Sequence, residues 1–278
     1  MKRIFLLFAL AVLTCTAFDF GGVEVFSPVQ EEVKVPIVMY HLITEKPKYI
    51  GKYGITPSDL EMDLLYLKEN GYTTVVMADL IAFVHGNGQL PEKPIVLTFD
   101  DGNTSDYQYL YPLLAKHNMK AVLAIMGKFT DEYTTETAKN PKAKYPNMTW
   151  EQVRELHESG LLEIQSHGYN VHGKGGSGNR GGESPEAYYN RLRGDLAKLQ
   201  TGCKTHLDWE PTTFVYPLGV VGKDSRKVLE DLGIVASLGC EEGVTLVRPR
   251  DKDCLFKMHR YNRPKSESVE AILKRAGV

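Results

Sequence analysis

Cysteine is scarce in this chain, with four among 278 residues and no CxxC pair. That argues against a disulfide-stapled scaffold and against a zinc knuckle. A basic excess is missing as well, since 33 Lys and Arg stand against 35 Asp and Glu for a net charge of -2. Proteins that track nucleic-acid phosphates carry clustered positive charge, so no nucleic-acid partner is expected. The apolar run Ile4–Leu13 is ten residues long, about half of the roughly 20 that a membrane-spanning helix needs. No internal repeat or composition shift marks a second domain. The glycine-rich run Gly173–Gly182, with six glycines, lacks the Lys-Ser/Thr ending of a phosphate-binding loop and reads as a mobile loop.

What remains is an ordinary globular composition, 42% hydrophobic and 24% charged with a mean hydropathy of -0.27. A domain of this size buries about 75% of its unfolded-state surface and needs no staple. Lys2 and Arg3 precede the Ile4–Leu13 run, and Thr14-Cys15-Thr16-Ala17 follows it. That order predicts a secretory signal peptide over 1–17, cleaved after Ala17, then a linker over 18–34 and one domain over 35–278. The expected location is outside the cell or in its envelope. Cys15 after Val12-Leu13-Thr14 is a weak match to a lipoprotein processing site, at which a lipidated Cys15 would anchor the chain; Thr14 fits that site poorly.

Within the domain, apolar β-branched runs predict strands at Val35–Tyr40, Thr73–Val76, Ile95–Phe99, Ala121–Met126, Leu162–Gln165, Thr212–Tyr216, Ile234–Ser237 and Leu255–Met258. Helices fall between them. Ser58 with Glu61 reads as a capping box for a helix ending at Gly71, and Thr149 with Gln152 opens one ending at Gly160. Ser184-Pro185 opens a third that closes near Gly202, and Asp224 opens a fourth that ends at Gly233. Alternation of this kind implies parallel strands with helical crossovers, in an open sheet or a barrel.

The chemistry concentrates at two strand ends. Pro94-Ile95-Val96-Leu97-Thr98-Phe99 runs into Asp100-Asp101-Gly102, and strand C-termini are where α/β folds bind ligands. Two adjacent carboxylates stay charged at low cost only beside a cation or strong donors, which suits one metal ligand and one base. Taken alone, the motif reads rather as a solvated Asp-Asp-Gly turn. A second strand end supplies Ser166-His167-Gly168-Tyr169-Asn170-Val171-His172. One Asp with two His makes a three-ligand set for a catalytic Zn2+ or similar ion, with positions left for water and substrate.

The segment Thr98 to Gly102, with His167 and His172, resembles the signature of polysaccharide deacetylases of carbohydrate esterase family 4, the NodB-homology domain. The likeness runs over roughly Val35 to Pro264. It implies a distorted (β/α) barrel of seven or eight parallel strands in a single domain. It also implies Asp101, His167 and His172 as ligands of a divalent metal, Zn2+ first, with Co2+, Ni2+ or Mn2+ as alternatives, and Asp100 as catalytic base. Phe214-Val215-Tyr216-Pro217-Leu218-Gly219 stands where a further motif falls, near the oxyanion site, with Val215 and Leu218 replacing the commoner Arg and Tyr. The resemblance then implies the Leu218 N–H as an oxyanion donor and Arg260 as the substitute partner of Asp100. Val38-Met39-Tyr40-His41 is similar to a motif of a circularly permuted branch, which implies His41 rather than His259 as general acid. The implied activity is hydrolysis of the acetamide of N-acetylated amino-sugar polymers (peptidoglycan, chitin-like chains or poly-N-acetylglucosamine). O-deacetylation of a xylan-like glycan and a non-catalytic glycan-binding module are the alternatives. Trp150, Tyr169 and Tyr216 are candidate sugar-stacking platforms, although core packing is the commoner use of such aromatics.

Overall fold

The computed structural model describes residues 32–135, 146–173 and 175–278. The expected leader over 1–17, with Cys15, and the expected linker up to residue 31 lie outside the described residues. In chain order the elements are β1 (Val33–Val35), β2 (Ile37–Tyr40), β3 (Leu42–Ile43), β4 (Gly54–Ile55), α1 (Pro57–Glu69), β5 (Thr73–Thr74), α2 (Met77–Val84) and β6 (Pro94–Asp101). There follow α3 (Tyr111–His117), β7 (Ala121–Ile125), α4 (Gly127–Thr135), α5 (Trp150–Glu158), β8 (Leu162–Ser166) and α6 (Pro185–Leu207). The chain closes with β9 (Thr213–Val215), α7 (Ser225–Asp231), β10 (Ala236–Leu238), β11 (Thr245–Val247), β12 (Tyr261–Asn262) and α8 (Val269–Ala276).

Seven strands line up in the order β10-β9-β8-β7-β6-β2-β12, every neighbouring pair parallel, and β5 pairs with the start of β6. The sheet curls into a half-barrel within one domain. β6 lies near its centre and is buried along nearly its whole length. Strand side chains alternate between faces. Ile95, Leu97 and Phe99 accordingly join the cluster that holds Leu60, Leu64 and Leu114 of the surrounding helices, while Val96 joins Ile37, Val122 and Val215 inside the curl. A sheet covered on both faces explains why these strands read as continuous apolar runs rather than alternating ones.

Several expected boundaries move for local reasons. Pro36, which has no N–H to give, divides the Val35–Tyr40 run into β1 and β2. The first capping box belongs to Thr56 and Asp59, not Ser58 and Glu61: Thr56 Oγ1 accepts from Asp59 N at 3.1 Å, and Thr56 N donates to Asp59 Oδ2 at 2.9 Å. The Thr149–Gln152 box is present. α6 runs past Gly202 to Leu207. Gly202 serves close approach rather than termination, since a Cβ there would meet Trp150 Cζ2 at 2.8 Å. Leu255–Met258 is not a strand; it holds the end of a 3-10 turn and a single bridge from Met258 to Leu238, and the last strand is β12 beside β2. In the expected mobile run Gly173–Gly182, the described part around Ser177 is tied down: Ser177, fully buried, donates from its hydroxyl to the Val220 carbonyl at 2.7 Å and accepts at its own carbonyl from Tyr188 Oη at 3.1 Å.

Candidate active site

β2, β6, β8 and β9 all end at the same rim of the half-barrel. They deliver His41, Asp100 with Asp101, His167, and the Pro217-Leu218 turn to one cavity of about 1050 Å³. The β6 strand does not end in a relaxed turn. Asp101 has a φ of +81° and Gly102 a φ of +70°, and the left-handed region is costly for a residue with a Cβ. The twist separates the two carboxylates, so that Asp100 is buried against the core and Asp101 opens to the cavity.

Asp100 is 2% exposed and meets Arg260, itself fully buried, at 2.8 Å. Burial opposes ionisation of Asp100, but the Arg260 guanidinium, with His167 and His41 beyond it, prevails and holds its pKa down to about 2. Arg260 also donates to the Gly239 carbonyl at 2.7 Å and to Thr98 Oγ1 at 3.1 Å. With Cys240 Sγ at 3.6 Å, the guanidinium is therefore fixed by four acceptors.

Asp101, His167 and His172 come together with one ligand atom each inside a span of 4.8 Å. Asp101 Oδ1 lies 3.6 Å from His167 Nε2 and 3.3 Å from His172 Nε2. This donor set fits a divalent ion on two counts. His167 Nδ1 lies 2.9 Å from the Val215 carbonyl; a carbonyl only accepts, so Nδ1 carries the proton and Nε2 turns its lone pair to the cluster. Asp101 Oδ1 is buried without an aligned donor, an arrangement that a cation satisfies. Burial pushes the His167 pKa down while Asp100 and Asp101 oppose it, and the nearby Asp101 carboxylate pulls that of His172 up.

His41 lines the same cavity, and its buried Nδ1 has no hydrogen-bond partner among the described residues. Burial lowers its pKa against the pull of Asp100 and Asp101. His259 does not line the cavity; its ring faces the Glu241 carbonyl and its N–H donates to Thr245 Oγ1. Leu218 reaches the rim with a φ of +58° and a half-exposed side chain. The expected sugar platforms are elsewhere. Trp150 and Tyr216 are buried, Trp150 stacked on His206, and Tyr169 lies under Lys198 with its hydroxyl on Asp131. The aromatics that do line the cavity are Tyr49, Tyr53, Phe129 and Tyr133.

Asn147 is a site residue that motif reading misses. Its side-chain amide donates to the Asp101 carbonyl at 2.6 Å and to the Gly102 carbonyl at 3.3 Å, and Met148 N donates to Gly102 O at 3.0 Å. The strained turn is thus held by a segment some 46 positions away in sequence. Asp106 is a second. Fully buried with neither carboxylate oxygen partnered among the described residues, it has its pKa pushed well up by burial and by the neighbouring Asp101.

Comparison with known proteins agrees with this geometry. The profile of the polysaccharide deacetylase family matches residues 87–237. The poly-β-1,6-N-acetyl-D-glucosamine N-deacetylase of Escherichia coli strain K12 is 30% identical over 233 residues, covering 74% of this chain and 34% of that protein. The chain therefore spans about a third of the length of that relative. Among solved structures, a de-N-acetylase from Aggregatibacter actinomycetemcomitans superposes with a TM-score of 0.74 at 25% identity, over 87% of this chain and 99% of that one. The BpsB deacetylase domain of Bordetella bronchiseptica does so at 0.67 and 25%, over 85% and 97%.

Proposed function

The chain belongs to the polysaccharide deacetylase family, and from that premise we propose that it is a metal-dependent N-deacetylase of N-acetylated amino-sugar polymers, releasing acetate and leaving a free amine. The observation that carries this reading is the convergence in one cavity of an Arg-paired Asp100 with the Asp101, His167 and His172 donor set. The names of its relatives support the amide-bearing substrate. Asp101, His167 and His172 would hold a divalent ion, Zn2+ first. Such an ion supplies Lewis acidity toward the acetyl carbonyl and lowers the pKa of water in the site.

The chain's own groups do the rest. Asp100, kept ionised by Arg260, accepts the proton released as water attacks the acetyl carbon. Its low pKa makes it a weak base in isolation, so its contribution rests on orientation as well as on basicity. The Leu218 N–H at the rim is the candidate donor to the developing oxyanion. The C–N bond then breaks, acetate departs, and His41 is the candidate source of the proton that the leaving amine takes up. Export by the 1–17 leader would bring the domain to polymers that lie outside the cytoplasm.

The test is acetate release from a β-1,6-linked N-acetylglucosamine oligomer with and without chelator, beside Asp100→Asn and His167→Ala. Activity that falls at least about 100-fold in each variant and in chelator, returning with Zn2+ or Co2+, is the expected outcome. Release that persists in chelator or in Asp100→Asn would overturn the reading.

A further inference from the structure

The glycine-rich loop that follows His172 packs on the segment between β9 and α7, which carries Leu218. Ser177, fully buried, gives its hydroxyl proton to the Val220 carbonyl at 2.7 Å. Two residues on, Asn179 Oδ1 accepts from the Lys223 N–H at 3.0 Å. The glycines on either side of Ser177 permit the approach. A Cβ at Gly176 would meet the Pro217 carbonyl oxygen at 2.8 Å, and one at Gly178 would meet Val220 Cγ1 at 2.6 Å. The loop is itself fixed to α6. There Tyr188 Oη donates to the Ser177 carbonyl at 3.1 Å, and Arg191, ion-paired with Glu183 at 2.6 Å, donates to the Gly178 carbonyl at 2.8 Å.

Leu218 has a φ of +58°, a conformation that is costly for a bulky residue with a Cβ. Such strain persists only where the surroundings over-determine the backbone. Within the turn, Gly219 N–H donates to the Tyr216 carbonyl at 3.0 Å and Val220 N–H to the Pro217 carbonyl at 3.2 Å. The Ser177 and Asn179 bonds then hold the chain as it leaves Leu218. We infer that Ser177 and Asn179 form a clasp that fixes the direction of the Leu218 N–H toward the developing oxyanion, which makes both of them positioning residues for the reaction. Neither lines the cavity, so the clasp acts through the turn and not on the substrate. A donor aimed at developing charge lowers the barrier only while its direction is held, and a displacement of about 1 Å can cost about 100-fold in rate. The segment that supplies His172 thus continues into the loop that steadies the oxyanion turn.

This inference rests on the proposed deacetylation with Leu218 as its donor, and it is tested by one readout that needs turnover and one that does not. In the Zn2+-loaded full chain acting on a β-1,6-linked N-acetylglucosamine oligomer, Ser177→Ala is expected to lower kcat about 10- to 100-fold. KM and Co2+ affinity should each stay within about threefold. Asn179 is exposed, so its variants leave the core intact. Asn179→Ala is expected to lower kcat about 3- to 10-fold, while Asn179→Asp, which keeps an acceptor for the Lys223 N–H, retains it within about twofold. Without substrate, hydrogen exchange at the Gly219 and Val220 amides should be at least about tenfold faster in Ser177→Ala than in the unsubstituted chain. Unchanged kcat in both alanine variants, an equal loss in Asn179→Asp, or a fall in Co2+ affinity that matches the fall in kcat would overturn the positioning role. Unchanged exchange would overturn the clasp itself. Faster exchange in Ser177→Ala beside an unsubstituted chain that releases no acetate leaves the clasp standing and removes the deacetylase reading.

Discussion

Asp100 and Arg260 are both almost fully buried, and a buried pair of this kind holds together only while both members are charged. The Asp100 pKa is about 2 in the folded chain, against about 3.9 when unfolded. A depressed pKa means that the folded state favours the deprotonated form. Its stabilisation is therefore present in full above about pH 4 and is lost as pH falls toward 2. Denaturant unfolding between pH 4 and 2 should show the unsubstituted chain losing about 2 kcal/mol more than Asp100→Asn; parallel losses would refute the assignment. Asn147 yields a second expectation. Asn147→Asp keeps the shape but turns an amide donor into an acceptor facing two carbonyls. Co2+ affinity, followed by absorption titration, should fall about 10- to 100-fold as Asp101 loses its orientation, and an unchanged affinity would limit Asn147 to structure. The ligand candidates were legible because each lies inside a short motif at a strand end. Asn147 was not, because its neighbours Pro146, Met148 and Thr149 carry no catalytic pattern and its partner carbonyls are set by packing.

The segment from His167 to His172 is held at the level of elements. Asp195 on α6 accepts from the N–H groups of Tyr169 at 2.7 Å and Asn170 at 2.8 Å. Gly168, at a φ of +83°, has no room for a Cβ because Val171 Cγ2 occupies the space. Asp195→Ala leaves two N–H groups without their acceptor, at a cost of about 1–3 kcal/mol. Calorimetry should therefore show melting several degrees lower, with a smaller drop for Asp195→Asn, which keeps one acceptor oxygen. Equal melting of Asp195→Ala and the unsubstituted chain would contradict the role. At this scale sequence signals are reliable where capping is local, as at Thr149 and Ser184. They fail where one residue type serves two purposes. Gly202 reads as a helix stop, yet the missing Cβ makes room for Trp150 instead.

Over the whole molecule, the half-barrel is fastened through Asp63 on α1. That carboxylate receives Arg263 Nε at 2.7 Å and Nη2 at 3.0 Å, Tyr40 Oη at 3.2 Å and Val269 N at 3.1 Å. The last strand, the last helix and β2 are thereby tied to one helix. Asp63→Ala leaves the buried Arg263 charge uncompensated and should cost about 3–5 kcal/mol in urea denaturation; a loss below about 1 kcal/mol would show the tie to be incidental. Sequence alone pointed to parallel strands with helical crossovers and to candidate residues at two strand ends, and the family resemblance to a barrel. A two-sided parallel sheet writes each central strand as an unbroken apolar run, and its ligand-binding end follows directly from where those runs stop. Tertiary structure decided which side chains meet across long separations: Arg260 with Asp100, Asn147 with the Asp101 turn, and Tyr53 and Phe129 in place of Trp150 and Tyr216 around the cavity. Those meetings depend on strand order, helix rotation and the direction of each Cβ, which composition and local spacing do not encode.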